Sequence, residues 1–390
     1  MRTVRFALFV VLAAAGFVVA TAGASAASAV VGHVYVDDNT AGVNTVAGVD
    51  RHADGSLTPL PGSPFPVGGA GTGRPDASQG SLQLSADGRY LLAVDAGSNQ
   101  ISVLRIKPDG SLQPAQGSPV ASNGVDPVSI AVSGGLVYVA NQGPGTSPGD
   151  TNYTGFTLNA GGHLDALPGS TVPLPADAKP GDVLFSGDGG RLVGTRIASS
   201  EIDSFAVGAD GLLTAAPGSP FAAQGFAPPQ GFGQLGSEFS PADPSRLFVT
   251  DAHTAAGGGA PGLVSSFTDV ADGTLAPVAG SPVANDGVAS CWVEISHDGA
   301  YLFVVNTGSA TISSYAISAG GGLTFLRSTP PGALGAGAED ARLSPDGATL
   351  WVVDSGTDAV SGFAVSGGSL TPLSSAPGPA GATPTGIVVT

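Results

Sequence analysis

After about residue 30, the chain alternates between apolar and polar residues in short runs that end at glycine-rich turns. In one such unit, residues 82–94, an alternating run leads to an Asp-Gly turn at Asp87 and then to an apolar run from Tyr90 to Val94. A period of two predicts a strand, and a tight turn between two such runs predicts an antiparallel hairpin. Helical periodicity is absent from this part of the sequence, so we predict an all-β fold.

Each unit continues with a third alternating run, such as 101–106 or 312–317, which ends at a second turn. This turn precedes Leu, a short polar stretch and, in most copies, Gly-Ser-Pro. It occurs seven times, beginning at Ala53, Pro108, Ala160, Ala209, Ala271, Ala319 and Val365. The spacing of 46 to 62 residues is typical of β-propeller blades. We predict four strands per blade, with a polar outer strand, and expect the turn aspartates to act only as turn formers.

The number of turns predicts how the ring closes. There are seven third-to-fourth turns but six first-to-second hairpins, and the first blade begins at its second strand, 34–36. The C-terminal segment 384–390 resembles the first strand at 127–133 and is predicted to supply the missing strand. We therefore predict one seven-bladed β-propeller over residues 30–390, closed by its C-terminal strand, because closure removes exposed strand edges. The alternative, an array of β-sandwich domains, would require linkers.

Residues 1–29 do not belong to the repeat. Arg2 and Arg5 precede an apolar run at 6–22, and small residues follow as far as Ala29. This order is typical of a cleaved secretory signal peptide. The alternative is an uncleaved anchor, although the apolar run is short and alanine-rich for a spanning helix. We expect a secreted, extracellular protein without membrane contact after cleavage.

Composition narrows the set of partners. The net charge is −17, and the lysines are Lys107 and Lys179, which argues against binding nucleic acid or anionic membranes. Cys291 is the sole cysteine, so no internal disulfide can form. Its apolar neighbours predict a buried, inert thiol. We expect a monomer whose partner is a small-molecule ligand or a cell-envelope component.

Three motifs carry a resemblance to a known family. They are Ser-Pro-Asp-Gly at 344–347 with 350–354, Ser-His-Asp-Gly at 296–299 with 301–306, and the turn 109–112 with Gly-Ser-Pro at 117–119. The chain thereby resembles the lactonase-type seven-bladed propellers, the 6-phosphogluconolactonase and carboxymuconate-cyclising group, over nearly all of residues 30–390. The resemblance implies a lactone hydrolase or a lactone-forming cycloisomerase acting on a small acidic lactone.

The chain departs from that family at its chemical motifs. The family often has Pro-Arg-His before the first strand and Asn-Glu after the second. The aligned stretches 127–129, 180–182, 290–292 and 338–340 contain no Arg-His pair, and Asn306 is followed by Thr307. These departures favour a non-catalytic propeller that binds its ligand at the channel mouth, with lactone hydrolysis or cyclisation as the alternative.

Candidate site residues occupy equivalent positions of the first strands, which read Gln83, Ala131, Leu184, Glu238, Glu294 and Arg342. We assign Glu238, Glu294 and Arg342 as candidate catalytic residues, with Glu294 as acid/base and Arg342 as the anchor for a ligand carboxylate. We expect them on the face opposite the Asp-Gly turns. The alternative is an inter-blade salt bridge beside a solvated rim. Further candidate ligand-binding residues are Asp182, Arg196, Asp251, His253, Asn306, Glu339 and Asp340. No metal site or cofactor is predicted.

Overall fold

The computed structural model describes residues 28–143, 149–222, 224, 233–252, 261–330, 334–335, 337–377 and 383–390. These residues form seven antiparallel sheets, and in each sheet consecutive strands lie side by side. Within the described ranges the helical content is one 3-10 turn, Ala96–Ser98. The predicted all-β, seven-bladed propeller is confirmed.

The strands of the first four blades, innermost first, are as follows. Blade 1 contains β33 (Gly386–Val389), β1 (Val30–Asp37), β2 (Thr45–His52), β3 (Leu57–Pro59) and β4 (Phe65–Pro66). Blade 2 contains β5 (Leu82–Leu84), β6 (Tyr90–Asp95), β7 (Gln100–Ile106), β8 (Leu112–Pro114) and β9 (Val120–Ala121). Blade 3 contains β10 (Pro127–Ser133), β11 (Leu136–Asn141), β12 (Asn152–Leu158), β13 (Leu164–Ala166) and β14 (Val172–Pro173). Blade 4 contains β15 (Pro180–Phe185), β16 (Arg191–Arg196), β17 (Glu201–Val207), β18 (Leu213–Ala215) and β19 (Phe221–Ala222).

The remaining blades follow the same order. Blade 5 contains β20 (Gln234–Phe239), β21 (Arg246–Asp251), β22 (Leu263–Asp269), β23 (Leu275–Pro277) and β24 (Val283–Ala284). Blade 6 contains β25 (Ser290–Ile295), β26 (Tyr301–Asn306), β27 (Thr311–Ile317) and β28 (Leu323–Thr329). Blade 7 contains β29 (Ala338–Leu343), β30 (Thr349–Asp354), β31 (Ala359–Ser366) and β32 (Ser369–Pro377). We call the face that carries the first-to-second and third-to-fourth turns the turn face, and the opposite one the loop face.

The two ends of the propeller chain meet in blade 1. β33 pairs antiparallel with β1, from Val34 opposite Val389 to Asp37 opposite Gly386. The Thr390 amide also donates to the His33 carbonyl oxygen at 2.9 Å. The predicted closure by the C-terminal strand is therefore confirmed. Ser28 and Ala29, which the sequence analysis assigned to the leader, also contact blade 1, since the Ala53 amide donates to the Ala29 carbonyl at 2.9 Å.

The Gly-Ser phrase interrupts the fourth strand. In blades 1 to 5 this strand is split into two short segments that both pair with the third strand. At each split, the serine of the phrase accepts a hydrogen bond from a third-strand amide. These bonds are Gly48 to Ser63, Val103 to Ser118, Gly155 to Ser170, Ser204 to Ser219 and Ser266 to Ser281, at 2.8 to 3.0 Å. Blades 6 and 7 lack the phrase and have continuous fourth strands.

The aspartates of the turns accept hydrogen bonds from backbone amides of the same turns. Asp109 Oδ1 accepts from the Ser111 amide at 3.0 Å, and Asp298 Oδ1 accepts from the Ala300 amide at 3.0 Å. These are Asx turns, in which the side chain replaces a backbone partner.

The hydrophobic core lies between blades: Ile387 and Val389 of blade 1, for example, pack in one cluster with Trp351 of blade 7. In the part of the chain described, no helix is long and apolar enough to cross a membrane.

Candidate functional site

One residue from each innermost strand lies at the same level around the propeller axis, because each is paired with the equivalent central residue of its second strand. Glu238 lies opposite Phe248, Glu294 opposite Phe303 and Arg342 opposite Trp351. We call this set of seven the axial ring: Gln83, Ala131, Leu184, Glu238, Glu294, Arg342 and Val388. Val388 completes the set of six that the sequence alignment identified.

Glu294 and Arg342 form an ion pair that joins blades 6 and 7. Arg342 Nη1 lies 3.1 Å from Glu294 Oε2, and the Leu343 amide donates to Glu294 Oε1 at 3.2 Å. The side chains are only 13% and 18% exposed for Glu294 and Arg342. Burial raises the pKa of Glu294, and Arg342 opposes that shift. Both carboxylate oxygens of Glu294 are thus already occupied by blade 7.

Glu238 differs from its neighbour in having no such partner. It is half-buried, and its carboxyl forms no hydrogen bond or ion pair with the residues that the structure describes. Burial raises its pKa well above the ordinary value, and repulsion from Glu294 adds to that shift. A raised pKa favours the neutral carboxyl, which can both donate and accept hydrogen bonds.

Asp182 and Asp340 lie behind the ring, two residues earlier on their strands. Asp182 links three blades, accepting from Ser129 Oγ at 3.2 Å and from Ser237 Oγ at 2.6 Å. Asp340 lies 3.9 Å from Arg342 Nη1 and accepts from the amide of Ala341 at 2.9 Å. Burial raises the pKa of Asp182 to about 7 and also raises that of Asp340, which Arg342 opposes. Both aspartates are occupied by structural contacts.

A short segment of the chain crosses the axis beside the ring. Residues 78–81, which we call the axial hub, precede β5 and contact all the other blades. Their hydrogen bonds reach Thr385 beside β33, Ile130 of blade 3, Gly181 of blade 4, Ser237 of blade 5, Trp292 and Val293 of blade 6, and Asp340 of blade 7, at 2.5 to 3.4 Å. Gln79 is only 2% exposed. The hub therefore fills the channel at this level.

The ring lies on the turn-face side of the hub. Glu294 is two residues before Ser296, which begins the turn, whereas Gln79 bonds to backbone groups of Val293 and Ser237. Five of the seven ring residues are partly exposed, whereas Asp182, Asp340 and Trp292 on the other side are at most 3% exposed. We call the space inside the ring, with the hub as its floor, the axial cup. The expectation that this cluster lies at the face opposite the Asp-Gly turns is therefore corrected.

Three other predicted site residues end their second strands and tie them to the third. Arg196 contacts Asp203 at 2.6 Å, Asp251 Oδ2 accepts from Ser265 Oγ at 2.7 Å, and Asn306 donates to Ser313 Oγ at 3.0 Å. All three are at least nine-tenths buried. Equivalent residues in other blades make the same connection, as Asp95 does with Ser102. This position is a recurring structural link.

Glu339 lies nearer the loop face and is 3% exposed. Its Oε1 accepts from Ser355 Oγ at 2.8 Å, while its Oε2 has no partner among the described residues. Burial raises its pKa well above the ordinary value. His253, the remaining predicted ligand-binding residue, lies outside the described residues.

Comparison with known proteins shows a likeness to one family. Residues 241–389 match the sequence profile described as "Lactonase, 7-bladed beta-propeller". The match covers less than half of the chain, whose C-terminal part is similar to that family. The match confirms the resemblance that the turn motifs indicated. None of the curated proteins compared with the chain matches it.

Solved structures share the fold of this propeller. A periplasmic gluconolactonase from Pseudomonas aeruginosa is 20% identical, with a TM-score of 0.70 over 92% of this chain and 99% of the other. A candidate 6-phosphogluconolactonase from Bacteroides fragilis is 20% identical, with a TM-score of 0.68 over 92% of this chain and 98% of the other. At these identities the likeness shows the fold alone.

The chemistry available in the described part of this propeller is that of carboxyl groups. Across the described ranges, no group of three or more His, Cys, Asp or Glu residues is arranged to hold a metal ion. Cys291 is 8% exposed, and burial raises its pKa to about 12. Its thiol is thus protonated and buried, as predicted, and is unsuited to nucleophilic attack. Glu238 remains the ring group best suited to contact a ligand.

The sequence analysis did not predict the axial hub. Residues 67–81, which join β4 to β5, form the longest connection between a fourth strand and the next first strand. That length is visible from the spacing of the repeats, and a long connection in a compact fold often has a role of its own. The segment has no strand periodicity, however, and nothing in its composition marks Gln79 as axial.

Proposed function

We propose that this propeller is an exported protein that binds a small hydroxylated ligand in the axial cup. The observation that carries the proposal is the half-buried Glu238 carboxyl, which is unpaired within the described structure while the adjacent Glu294 and Arg342 satisfy each other. A buried polar group without a partner is costly. A ligand hydroxyl or carbonyl would supply the missing hydrogen bond.

The geometry argues against Arg342 as the anchor for a ligand carboxylate. Arg342 has its guanidinium 3.1 Å from Glu294 and 3.9 Å from Asp340. Releasing it for a ligand would leave Glu294 as an unpaired, largely buried carboxylate, which is strongly unfavourable. The pair is better suited to fix the wall of the cup between blades 6 and 7.

Export is the part of the proposal that rests on sequence. Two arginines, an apolar run and small residues precede the propeller, in the order of a secretory signal. The relative from Pseudomonas aeruginosa is a periplasmic protein by name. An extracytoplasmic location would expose the cup to sugars, sugar lactones and cell-envelope components.

Hydrolysis of a small lactone is the second candidate function, and the raised pKa of Glu238 favours it. A carboxyl whose pKa is raised by its surroundings is suited to general acid/base catalysis. In this case the ionised form of Glu238, rather than Glu294, would take the proton of the attacking water and return it to the departing ring oxygen of the lactone, because both oxygens of Glu294 are occupied. Of the two proteins compared above, one is named as a gluconolactonase and the other as a candidate 6-phosphogluconolactonase.

A ligand panel with three variants tests both functions. Binding of D-glucono-δ-lactone, D-galactono-1,4-lactone and the corresponding open-chain sugars would be followed by calorimetry, and lactone hydrolysis by proton release. We expect Glu238→Gln to weaken binding at least about tenfold and to abolish any hydrolysis. Glu201→Gln, which removes a carboxylate paired with Arg196 away from the ring, is the matched control. Arg342→Ala reports on the wall of the cup.

The outcomes separate the two functions. Binding without turnover supports the binding role, whereas turnover that is lost in Glu238→Gln supports the enzyme. Wild-type binding that is unchanged in Glu238→Gln would remove the axial cup from consideration as the site.

A further inference from the structure

We infer that the axial cup is entered from the turn face and that its charges select an uncharged hydroxylated ligand over a phosphorylated or carboxylated one. The inference rests on the proposed function, because it names the access route and the ligand class of the same cup. Three sets of observations lead to it: the closure of the channel, the charges at its rim and the charges inside it.

The axial hub determines the face from which a ligand can reach the axial cup. Gln79 hydrogen-bonds to the Ser237 and Val293 carbonyl oxygens at 3.1 and 3.4 Å and accepts from the Val293 amide at 3.2 Å. Trp292 Nε1 donates to the Ser78 carbonyl at 2.5 Å. This layer is buried, whereas Glu294 and Arg342 beyond it keep 13% and 18% of their side chains exposed. With the loop-face side of the ring closed, that exposure faces the turn face.

The rim of the entrance consists of first-to-second turns, five of which contain an aspartate: Asp87, Asp188, Asp243, Asp298 and Asp346. Hydrogen bonds from serine hydroxyls lower the pKa of each, so all are ionised at neutral pH. Arg89 pairs with Asp87 at 2.6 Å, and Arg246 pairs with Asp243 at 3.3 Å. Asp188, Asp298 and Asp346 have no ion pair within the described structure. The rim therefore repels anions.

Inside the cup, the only ring cation is already engaged. Arg342 contacts Glu294, and burial, which acts to lower the pKa of its guanidinium, is outweighed by Asp340 and Glu294, which raise it. A phosphate or carboxylate would have to displace Glu294, which would then lie unpaired beside Glu238 and the incoming anion. Like-charge contact and the loss of a buried pair are both costly, so this arrangement discriminates against anions.

An uncharged ligand meets none of these costs. Glu238 of blade 5 and Gln83 of blade 2 are the two ring side chains whose polar atoms form no hydrogen bond with other described residues. The Gln83 amide donates and accepts hydrogen bonds, and the Glu238 carboxyl accepts in either form and donates in its neutral form, which suits hydroxyl, ring-oxygen and lactone carbonyl groups. The ligand class is therefore an uncharged sugar or sugar lactone.

The test compares one neutral ligand with two anions. Affinities of the wild-type protein for D-galactono-1,4-lactone, D-galactonate and 6-phospho-D-gluconate would be measured at low ionic strength and pH 7.5. We expect the lactone to bind at least about tenfold more tightly than either anion. We also expect the gap to narrow as salt screens the rim.

The route is tested with two charge-matched double variants. Asp298→Asn with Asp346→Asn removes two rim charges, while Asp54→Asn with Asp109→Asn removes two charges from the more distant third-to-fourth turns. The rim double variant should reduce the difference in affinity between the lactone and the anions severalfold. The distant double variant should leave that difference unchanged. An equal effect of both pairs would overturn the assignment of the charge selection to the rim of first-to-second turns. A wild-type protein that binds 6-phospho-D-gluconate as tightly as the lactone would overturn the charge selection and leave the proposed function standing. Failure of all three ligands to bind would overturn the proposed function, and this inference with it.

Discussion

Gln79 is the hub side chain that joins blades 5 and 6 at the axis. Its amide group satisfies the Val293 amide and the carbonyl oxygens of Val293 and Ser237. In a propeller the inner edge of each first strand faces the channel, and its backbone groups need partners there. Because Gln79 is only 2% exposed, water cannot readily take its place.

We therefore predict that Gln79→Ala lowers the free energy of unfolding by about 2 to 4 kcal/mol, since it leaves buried backbone groups without partners. Urea unfolding followed by tryptophan fluorescence would measure the change, and Trp292 beside the hub makes that probe local. Gln113→Ala, at an exposed position of β8, is the control and should have almost no effect. Equal stabilities for both variants would contradict the role assigned to the hub.

At this scale the sequence predicted positions better than contacts. The period-two register identified Glu238, Glu294 and Arg342 as equivalents, because register follows directly from counting residues back from the turn. It left open whether they form a reactive cluster or an inter-blade salt bridge. The structure assigns the salt bridge to Glu294 and Arg342 and leaves Glu238 outside it. That distinction depends on side-chain geometry across blades, which a linear pattern does not contain.

At the split in the fourth strand, a serine side chain accepts the hydrogen bond that a backbone carbonyl would otherwise accept. In blade 2, Ser118 Oγ accepts from the Val103 amide at 2.8 Å, at the point between β8 and β9 where strand pairing stops. The sequence analysis predicted one short polar fourth strand per blade. The Gly-Ser phrase shows instead where that strand turns away, since five blades contain both the phrase and the split.

We predict that Ser118→Ala destabilises the fold by about 1 to 3 kcal/mol, because the Val103 amide loses its acceptor in a buried strand. Thermal unfolding monitored by circular dichroism would show the change. Ser111→Ala is a suitable comparison, because the Ser111 hydroxyl contacts only the exposed Asp109 carboxylate. If Ser118→Ala is no more destabilising than Ser111→Ala, water has replaced the hydroxyl.

The C-terminal strand β33 closes the propeller by pairing with β1. Ile387 is fully buried and packs with Val34, Val36 and Trp351, so it joins blade 1 to blade 7. We predict that Ile387→Ala costs about 2 to 5 kcal/mol, the range for large-to-small changes in well-packed cores. Denaturant unfolding is the measurement, with Thr371→Ala on the exposed part of β32 as control. A loss under about 1 kcal/mol would mean that the closure contributes little to stability.

At the scale of the whole molecule, two populations of carboxyl groups respond oppositely to pH. The exposed turn aspartates have pKa values lowered by hydrogen bonds, as for Asp298 and Asp109. The buried carboxyls have raised pKa values, chiefly through burial, at about 7 for Asp182 and Asp251 and about 6 for Asp95. The sequence showed the acidic excess but not this division, because burial of an aspartate depends on which strand end it occupies.

The pH dependence of stability follows from this division. A carboxyl with a raised native pKa binds more protons when folded, so its stabilising effect is complete below the unfolded pKa near 4 and is lost as pH rises through the native value. The turn aspartates lose their stabilising effect only as pH falls below about 4. We therefore predict that the melting temperature is highest at about pH 4 to 5 and falls as pH rises towards 8.

Glu238→Gln tests whether the axial cup contributes to that slope. Burial and Glu294 raise the pKa of Glu238, so ionisation of Glu238 as pH rises costs the folded wild type stability that the variant does not lose. The variant should match the wild type at pH 5 and be more stable at pH 8, which differential scanning calorimetry across the pH range would show. Glu201→Gln, with its side chain 32% exposed, should keep the wild-type slope. A wild-type melting temperature that rises from pH 5 to pH 8 would contradict the burial of these carboxyls, and parallel slopes for wild type and Glu238→Gln would place the titrating groups elsewhere in the propeller.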